Sequence, residues 1–217
     1  MATSVLMPMF ARFSAKYPEI ELHVQVSNKY VSLAERQADV AIRQTNTPHE
    51  TLVGTLLSKV ASAVYGERNY VASLRSGATP KWVGVECCAF HQSLTNAACP
   101  NRDYNFFVDD TLLTLAALRE GMGLAYLPCF MGDNDAQLLR YLAPEPRHDV
   151  GLWLLYHPNL RRTKRVRLFR EHMLGEIVSQ QQLFDGSKPR PESRNNSGTI
   201  SSPQPKGHRR EAAAGAK

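Results

Sequence analysis

The sequence predicts an α/β fold, in which short strands alternate with amphipathic helices. Three observations support this prediction: apolar residues alternate strictly over residues 20–26, recur at helical spacing over residues 6–17, and form a helix–turn–strand pattern over residues 112–128. The first two observations define one region, over residues 6–26, and the third defines a second region, over residues 112–128. Each region is typical of half of a doubly wound α/β unit. The expected closure of such units is a mostly parallel sheet.

The first region predicts the order helix, strand, helix, strand. Apolar residues at helical spacing define the first helix: Leu6, Phe10, Phe13 and Tyr17. Pro8 falls early in that helix, where a missing N–H costs least, and Pro18 ends it. The alternating residues of the first strand are Ile20, Leu22, Val24 and Val26. A short helix over residues 30–38 and an apolar strand over residues 39–42 follow.

The second region predicts a strand at residues 106–108 and a helix that begins at a polar cluster. Asp109, Asp110 and Thr111 offer side chains that can cap this helix. Gly121 and Gly123 end it in a tight turn, and a strand over residues 124–127 runs to Pro128. A late strand over residues 152–156 precedes a basic amphipathic helix over residues 163–182.

Charge and composition separate a folded body from a tail. Residues 186–217 contain almost no large apolar side chain and hold seven Lys and Arg against two Glu, so the tail supplies +5 of the chain's formal charge of +6. We therefore expect a disordered basic tail over residues 185–217. The body carries a charge near +1, which gives no support for a nucleic-acid-binding face. The tail is expected to be solvated, with incidental polyanion binding as the alternative.

Several function classes lack their sequence signals. The start of the chain does not resemble a secretory signal and no apolar run is long enough to span a membrane, so we expect a cytoplasmic protein. The cysteines show no metal-ligand spacing and are expected to be reduced thiols, with a redox-sensing thiol as the alternative: Cys87, Cys88, Cys99 and Cys129.

No nucleotide-binding, metalloprotease or hydrolase motif occurs, and the histidines form no pair at helical spacing. Asp109 and Asp110 could be a pair of catalytic carboxylates, but helix capping explains at least one of them better. The basic run over residues 159–167 could contact nucleic acid, but a solvated helix face explains it better. We expect no enzyme activity, no metal site and no cofactor.

These elements, in this order, resemble the effector-binding domain of LysR-type bacterial transcriptional regulators. The resemblance covers roughly residues 3–180 and rests on an ordered set of segments. These are the helix ending at Tyr17-Pro18, the alternating strand, Leu33 with Asp39-Val-Ala-Ile-Arg43, Tyr65 and Tyr70, Gly121-Met-Gly-Leu-Ala-Tyr-Leu-Pro128, and Leu152-Trp-Leu-Leu-Tyr-His-Pro158 with Arg161-Arg162.

The resemblance implies a fold like that of type 2 periplasmic binding proteins, with two lobes joined by two crossover strands. Lobe I would comprise residues 1–60 and 150–184, lobe II residues 61–149, and the crossovers would lie near residues 58–62 and 148–152. By this resemblance we expect the family's winged helix-turn-helix and the first strand of lobe I to be absent from this chain. A truncated chain would explain both differences, and DNA binding would then need the absent domain.

The resemblance also implies a small, anionic effector in the cleft between the lobes, where helix N-termini and strand ends attract a carboxylate. The matching positions are Thr3, Ser4, Ser27, Asn28, Arg43, Asp110, Thr111 and Pro128. Ordinary turns or ion pairs are the alternative at Ser27, Asn28 and Arg43. The implied function is effector sensing, and a transport-type solute-binding protein of the same fold is the alternative.

A homodimer is the last expectation. In the resembling family, the first helix of lobe I packs beside a lobe II helix of the partner chain. The apolar side chains expected to be left over for that contact are Val5, Met9, Phe13, Leu113, Ala117 and Leu118. A monomer is the alternative.

Overall fold

The computed structural model describes residues 5–26, 38–85 and 104–187, apart from the side chain of Asn105. The strands within these ranges are β1 (Val40–Gln44), β2 (Val53–Val60), β3 (Ser62–Glu67), β4 (Trp82–Val85), β5 (Tyr104–Val108), β6 (Ala125–Pro128), β7 (Leu138–Leu142) and β8 (Val150–Tyr156). The α-helices are α1 (Met7–Lys16), α2 (Arg68–Arg75), α3 (Thr111–Arg119), α4 (Cys129–Gly132), α5 (Lys164–Ser179) and α6 (Gln181–Phe184).

Sheet I has the strand order β1-β8-β2, and both outer strands run antiparallel to β8. Leu152, Leu154 and Tyr156 of β8 alternate onto one face, where they are buried in a core with residues of α1 and α5. Because successive strand residues point to opposite faces, Trp153 lies on the other face. The register pairs Gln44 with Leu152, so the end of β1 lies beside the start of β8.

Sheet II contains the antiparallel strands β6-β3-β7 and is extended by the parallel pair β4 and β5. A parallel bridge between Trp82 and Leu124 places β4 beside β6. The Val83 amide donates to the Leu124 carbonyl at 2.9 Å across the same junction. The described strands of this unit therefore follow the order β5-β4-β6-β3-β7, with α3 packed on β3, β4 and β6.

The chain passes between the two sheets twice within the described residues. Ala61 is the single residue between β2 of sheet I and β3 of sheet II. Residues 143–149 lead from β7 of sheet II back to β8 of sheet I. Val60 pairs with Val150, so the two passages lie next to each other.

Helix α1 begins and ends close to the predicted bounds, and it is fixed on one side by α5. Phe13 is fully buried, and its ring meets the ring of Phe169 edge-to-face with centroids 5.0 Å apart. Arg12 donates two hydrogen bonds to the Glu176 carboxylate, at 2.8 and 2.6 Å. This ion pair lies at the rim of an apolar contact and orients the two helices.

The local predictions are confirmed for the strand at 39–42, the helix after Asp110, the glycine turn and the late strand with its helix. The predicted strand over residues 20–26 is wrong, because no described strand pairs with it. Its apolar pattern still has an effect: Ile20 and Leu22 pack against the core, whereas Val26 is 77% exposed. The predicted short helix over residues 30–38 lies almost entirely outside the described residues.

The expected mostly parallel sheet is also wrong for the described strands. Parallel pairing among them is limited to β4 with β5 and to the single bridge that places β6 beside β4, and the other pairs are antiparallel. β1 and β2 do run in the same direction, as doubly wound units require, but β8 lies between them in the opposite direction. The late strand was predicted from its apolar run, and its direction could not be read from that run.

Most of the apolar side chains expected to form a dimer contact are buried within this chain. Val5, Met9, Phe13, Ala117 and Leu118 are at most 5% exposed. Leu113, by contrast, is 53% exposed. Fewer apolar side chains of α1 are free for a dimer contact than expected, because α1 packs against α5 as well as sheet I and more than one of its faces is covered.

Candidate functional site

The carboxyl ends of three parallel strands define one edge of sheet II. β4 and β5 run parallel, and their last residues, Val85 and Val108, are paired. β6 runs in the same direction beside β4 and ends at Pro128. Ligands of open α/β sheets bind at this kind of edge, because loops and helix N-termini face it.

The carboxyl ends of β1 and β2 form the corresponding edge of sheet I, and this edge lies beside the same two chain passages. β1 ends beside the start of β8, and β2 ends at Val60 beside Val150. On the other side, the Cys129 amide donates to the Ala61 carbonyl at 2.9 Å, and Pro128 pairs with Ser62. The carboxyl edges of both sheets therefore flank the two chain passages, and this junction is the candidate binding site.

Arg43 lies one residue before the end of β1 and pairs with Trp153 of β8. It therefore shares a face of sheet I with Trp153 and is half-buried. The position at the candidate edge is consistent with a ligand contact. The same placement is also consistent with a structural ion pair, the alternative that the sequence left open.

The loop after β1 is fastened to the start of β8. The Thr45 amide donates to the Gly151 carbonyl at 2.9 Å, and the Trp153 indole N–H donates to the Thr45 carbonyl at 3.0 Å. Asn46 accepts from the Gly151 amide at 3.0 Å and donates to the Asp149 carbonyl at 3.2 Å. These bonds fix the strand end that carries Arg43 relative to the second passage.

Sequence reasoning missed this loop. Thr45 and Asn46 follow a strand and could be identified as edge residues, but their partners are more than 100 positions away in the chain.

Asp110 caps α3, as predicted. Its Oδ1 accepts from the amides of Leu112 and Leu113, at 2.7 and 3.2 Å. The carboxylate therefore occupies the amides that an anionic ligand would otherwise use at this helix N-terminus, and its charge opposes such a ligand. Asp109 is exposed, and the structure shows no paired catalytic carboxylates here. Thr111 is the first residue of α3 and is half-buried.

Four of the expected contact residues, Thr3, Ser4, Ser27 and Asn28, lie outside the described residues. The structure describes the other four expected contact residues: Arg43 in β1 of sheet I, Asp110 and Thr111 at the start of α3, and Pro128 at the end of β6 of sheet II.

A buried polar cluster supports sheet II next to the junction. The Tyr65 hydroxyl donates to Asp133 at 2.9 Å, and Arg140 binds the same carboxylate through two nitrogens. Burial raises the pKa of Tyr65, and the nearby Cys129 and Asp133 add to this effect. Burial alone would lower the pKa of Arg140, but the Asp133 and Tyr65 interactions raise it above its ordinary value. The hydroxyl stays protonated and the guanidinium charged, so this is a structural cluster.

Two further findings concern the described residues only. No group of three or more His, Cys, Asp or Glu side chains among them could hold a metal ion. None of their helices is both long and apolar enough to cross a bilayer.

The comparisons with known proteins agree with this architecture. The family model for the LysR substrate binding domain matches residues 1–177. The chain belongs to this family. This match confirms the resemblance found in the sequence, and the family is one of LysR-type transcriptional regulators and not of enzymes.

Individual relatives are distant. The HTH-type transcriptional regulator CrgA of Neisseria meningitidis serogroup B is 24% identical over 191 residues, which cover 82% of this chain and 64% of CrgA. The chain thus spans slightly less than two thirds of this curated relative's length. An HTH-type transcriptional regulator of Xanthomonas campestris is 31% identical over 64 residues, 30% of this chain and 19% of that protein.

Solved structures show the same fold. The effector domain of the transcriptional regulator AmpR from Pseudomonas aeruginosa superposes with a TM-score of 0.65 and 22% identity, covering 82% of this chain and 90% of that one. CrgA from Neisseria meningitidis gives a TM-score of 0.69 and 21% identity, covering 82% and 65%. These likenesses establish the α/β fold with its periplasmic-binding-protein-like architecture.

Proposed function

We propose that this chain senses a small organic anion at the junction of its two sheets, as the effector-binding part of a LysR-type transcriptional regulator. The observation that carries the proposal is the convergence of both carboxyl edges on the two chain passages. In this proposal, residues 1–60 and 150–184 form one lobe and residues 61–149 the other. The ligand controls transcription by changing how the lobes sit.

The preference for an anion rests on positively charged side chains on the sheet I side of the site, and it is opposed by a carboxylate on the sheet II side. Arg43 on sheet I supplies a cation, and Lys59 lies close enough to Asp149 at the second passage to affect the pKa of that carboxyl. Asp110 counts against an anion on the sheet II side, because its carboxylate already satisfies the α3 amides. The carboxylate of the ligand should therefore lie on the sheet I side.

The direct test is a thermal-unfolding screen of the full chain against mono- and dicarboxylates, with neutral sugars and zwitterionic amino acids as the comparison set. A ligand at a hundredfold excess over its Kd stabilises by about 2.7 kcal/mol, which corresponds to roughly 5–10 °C for a domain of this size. We expect at least one carboxylate to reach this shift. If only the neutral compounds do, the anionic assignment is wrong.

We further propose a homodimer in which α1 packs beside the partner's α3. The apolar groove between β5 and α3 has a volume of about 480 Å³ and is lined by Phe106, Phe107, Val108, Leu113, Ala116, Met122 and neighbouring residues. Several of these side chains are well exposed: Phe107 is 54% and Leu113 53% accessible. On α1, Met7 is 48% exposed and offers an apolar contact.

In this proposal, DNA would be a partner only through a helix-turn-helix domain of the kind for which the relatives are named. The relatives CrgA and the Xanthomonas protein are described as HTH-type regulators. For this chain, operator binding and the choice between activation and repression remain part of the proposal. The basic run over residues 159–167 gives no separate support, because its Arg and Lys side chains lie on the exposed side of a turn and of α5, whereas Val166 is buried.

A further inference from the structure

Residues 181–187, here called the C-terminal strap, cross the junction between the two sheets. The strap consists of α6 and the three residues after it. The Ala61 amide, at the first passage, donates to the Phe184 carbonyl at 2.8 Å. Arg140 of β7 donates to the Gly186 carbonyl at 2.8 Å. The strap is therefore hydrogen-bonded both to the passage itself and to sheet II.

The side chain of Phe184 anchors the strap in the core of sheet I. It is fully buried in the core that contains α1, α5 and the inner face of sheet I. Its ring contacts that of Phe130 of α4, with centroids 5.7 Å apart. One short segment thus joins the sheet I core to β7 of sheet II, in addition to the two chain passages.

The strap also faces the second passage. The Asp185 carboxylate lies near that of Asp149, where burial and then Asp185 raise the pKa of Asp149 against the opposing effects of Lys59 and His148. Asp185 is held in place locally, because its Oδ1 accepts from the amide and the hydroxyl of Ser187, at 2.9 and 2.6 Å.

Gly186 allows the strap to pass directly over α4. Its φ of +72° is in the left-handed region, which L side chains adopt at a cost. A Cβ at this position would lie 2.9 Å from Cys129 Sγ and 3.4 Å from the Ala61 Cβ. Only glycine fits without moving the strap away from the first passage.

We infer that the strap is a third tether between the two lobes, which limits how far they open and close about the passages. The inference rests on the two-lobed arrangement proposed above, and it adds a specific role for residues 181–187. Motion at Ala61 cannot occur without breaking its bond to Phe184 or moving the strap. Moving the strap in turn disturbs Arg140, whose guanidinium neutralises the buried Asp133.

The test compares Gly186→Ala with Gly121→Ala in the full chain without ligand. Gly121 is a matched control, because its φ is +68° and a Cβ there would meet nothing within 4 Å. Two labels introduced as unnatural amino acids, at the exposed Val178 of α5 and Arg75 of α2, report the distance between the lobes. Hydrogen exchange of the Ala61 amide reports the tether itself.

We expect Gly186→Ala to broaden the distribution of distances between the labels and to speed exchange at Ala61 about tenfold. Gly121→Ala should change neither. A folded Gly186→Ala protein with unaltered exchange and an unaltered distance distribution would overturn the inference. No ligand is used, so that result would leave the proposed binding function untouched.

A second variant tests the tether if Gly186→Ala does not fold, as a loss of its near-ultraviolet circular dichroism would show. Arg140→Lys keeps a positive charge beside Asp133 but lacks the fork that also reaches the Gly186 carbonyl. Broader distances in this variant support the tether. Distances as narrow as in the unmodified chain contradict it.

Discussion

Arg43 is the residue whose role separates ligand binding from simple packing. If it binds the carboxylate of an effector, Arg43→Ala removes a charge-assisted hydrogen bond worth about 1.5–3 kcal/mol, and affinity falls at least tenfold. Calorimetry with a carboxylate identified by the thermal screen measures this change. Arg161→Ala is the control, because Arg161 is an exposed arginine outside the junction. Unchanged affinity in Arg43→Ala would exclude Arg43 as a ligand contact and leave it a structural role in sheet I.

Asp110 is expected to act through its cap and through its charge, and two substitutions separate these effects. Asp110→Ala loses the bonds to the Leu112 and Leu113 amides and should destabilise the chain by about 1 kcal/mol. Asp109→Ala, at the exposed neighbouring carboxylate, should have little effect. Asp110→Asn keeps a good capping side chain without the charge, so it should retain stability and strengthen binding of an anion. Denaturant unfolding and calorimetry check the two outcomes, and weaker anion binding by Asp110→Asn would contradict this account.

At the scale of elements, the ion pair between α1 and α5 should make stability depend on pH. The hydrogen bond from Arg12 lowers the pKa of Glu176, with burial opposing and the charges of Arg12 and His172 adding to it. A carboxyl with a lowered pKa in the folded state stabilises the fold above its unfolded pKa, and this contribution is lost as pH falls through the folded value.

Glu176→Gln should therefore lower the Tm at neutral pH, and the difference from the unmodified chain should disappear in acid below the ordinary range of glutamate. Thermal unfolding at a series of pH values measures it. Glu171→Gln is a suitable comparison on the same helix, because Glu171 forms only long contacts with arginine, at 3.9 and 4.0 Å. An equal loss of Tm at all pH values in Glu176→Gln would indicate a role in packing instead.

Elements with local signals could be predicted from the sequence, whereas their partners could not. The α3 region shows this: a cap from the cluster Asp109-Asp110-Thr111 and a glycine turn at Gly121 involve only nearby residues, and the structure has both. Residues 20–26 show the opposite, because alternation describes which side chains are apolar and a strand also requires a neighbour. The candidate site follows the same rule: the resemblance to the family implies strand-end positions such as Arg43, but the bond between Trp153 and Thr45 joins segments that are distant in the sequence.

At the scale of the whole molecule, the two sheets are joined more closely than the two passages alone would require. Ala61 donates to the strap and accepts from Cys129, so both sides of the first passage are fixed by hydrogen bonds. A conformational change on ligand binding has to redistribute these bonds. A ligand at the proposed site would therefore act directly on the bonds that fix the first passage, which a ligand on a remote surface would not do.

Assembly is the last property that the structure makes testable. A stable interface buries about 800 Å² on each partner, and the β5–α3 groove with its exposed aromatic side chains is a suitable centre for one. We expect the chain to sediment as a dimer at micromolar concentration, and Phe107→Glu or Leu113→Glu to shift it to monomer. Substitution at Met9 would not be informative, because Met9 is fully buried in the core. Val178→Glu, at an apolar side chain of α5 that is 59% exposed, should leave the dimer intact. A monomer in the unmodified chain, or a dimer that persists in both groove variants, would rule this interface out.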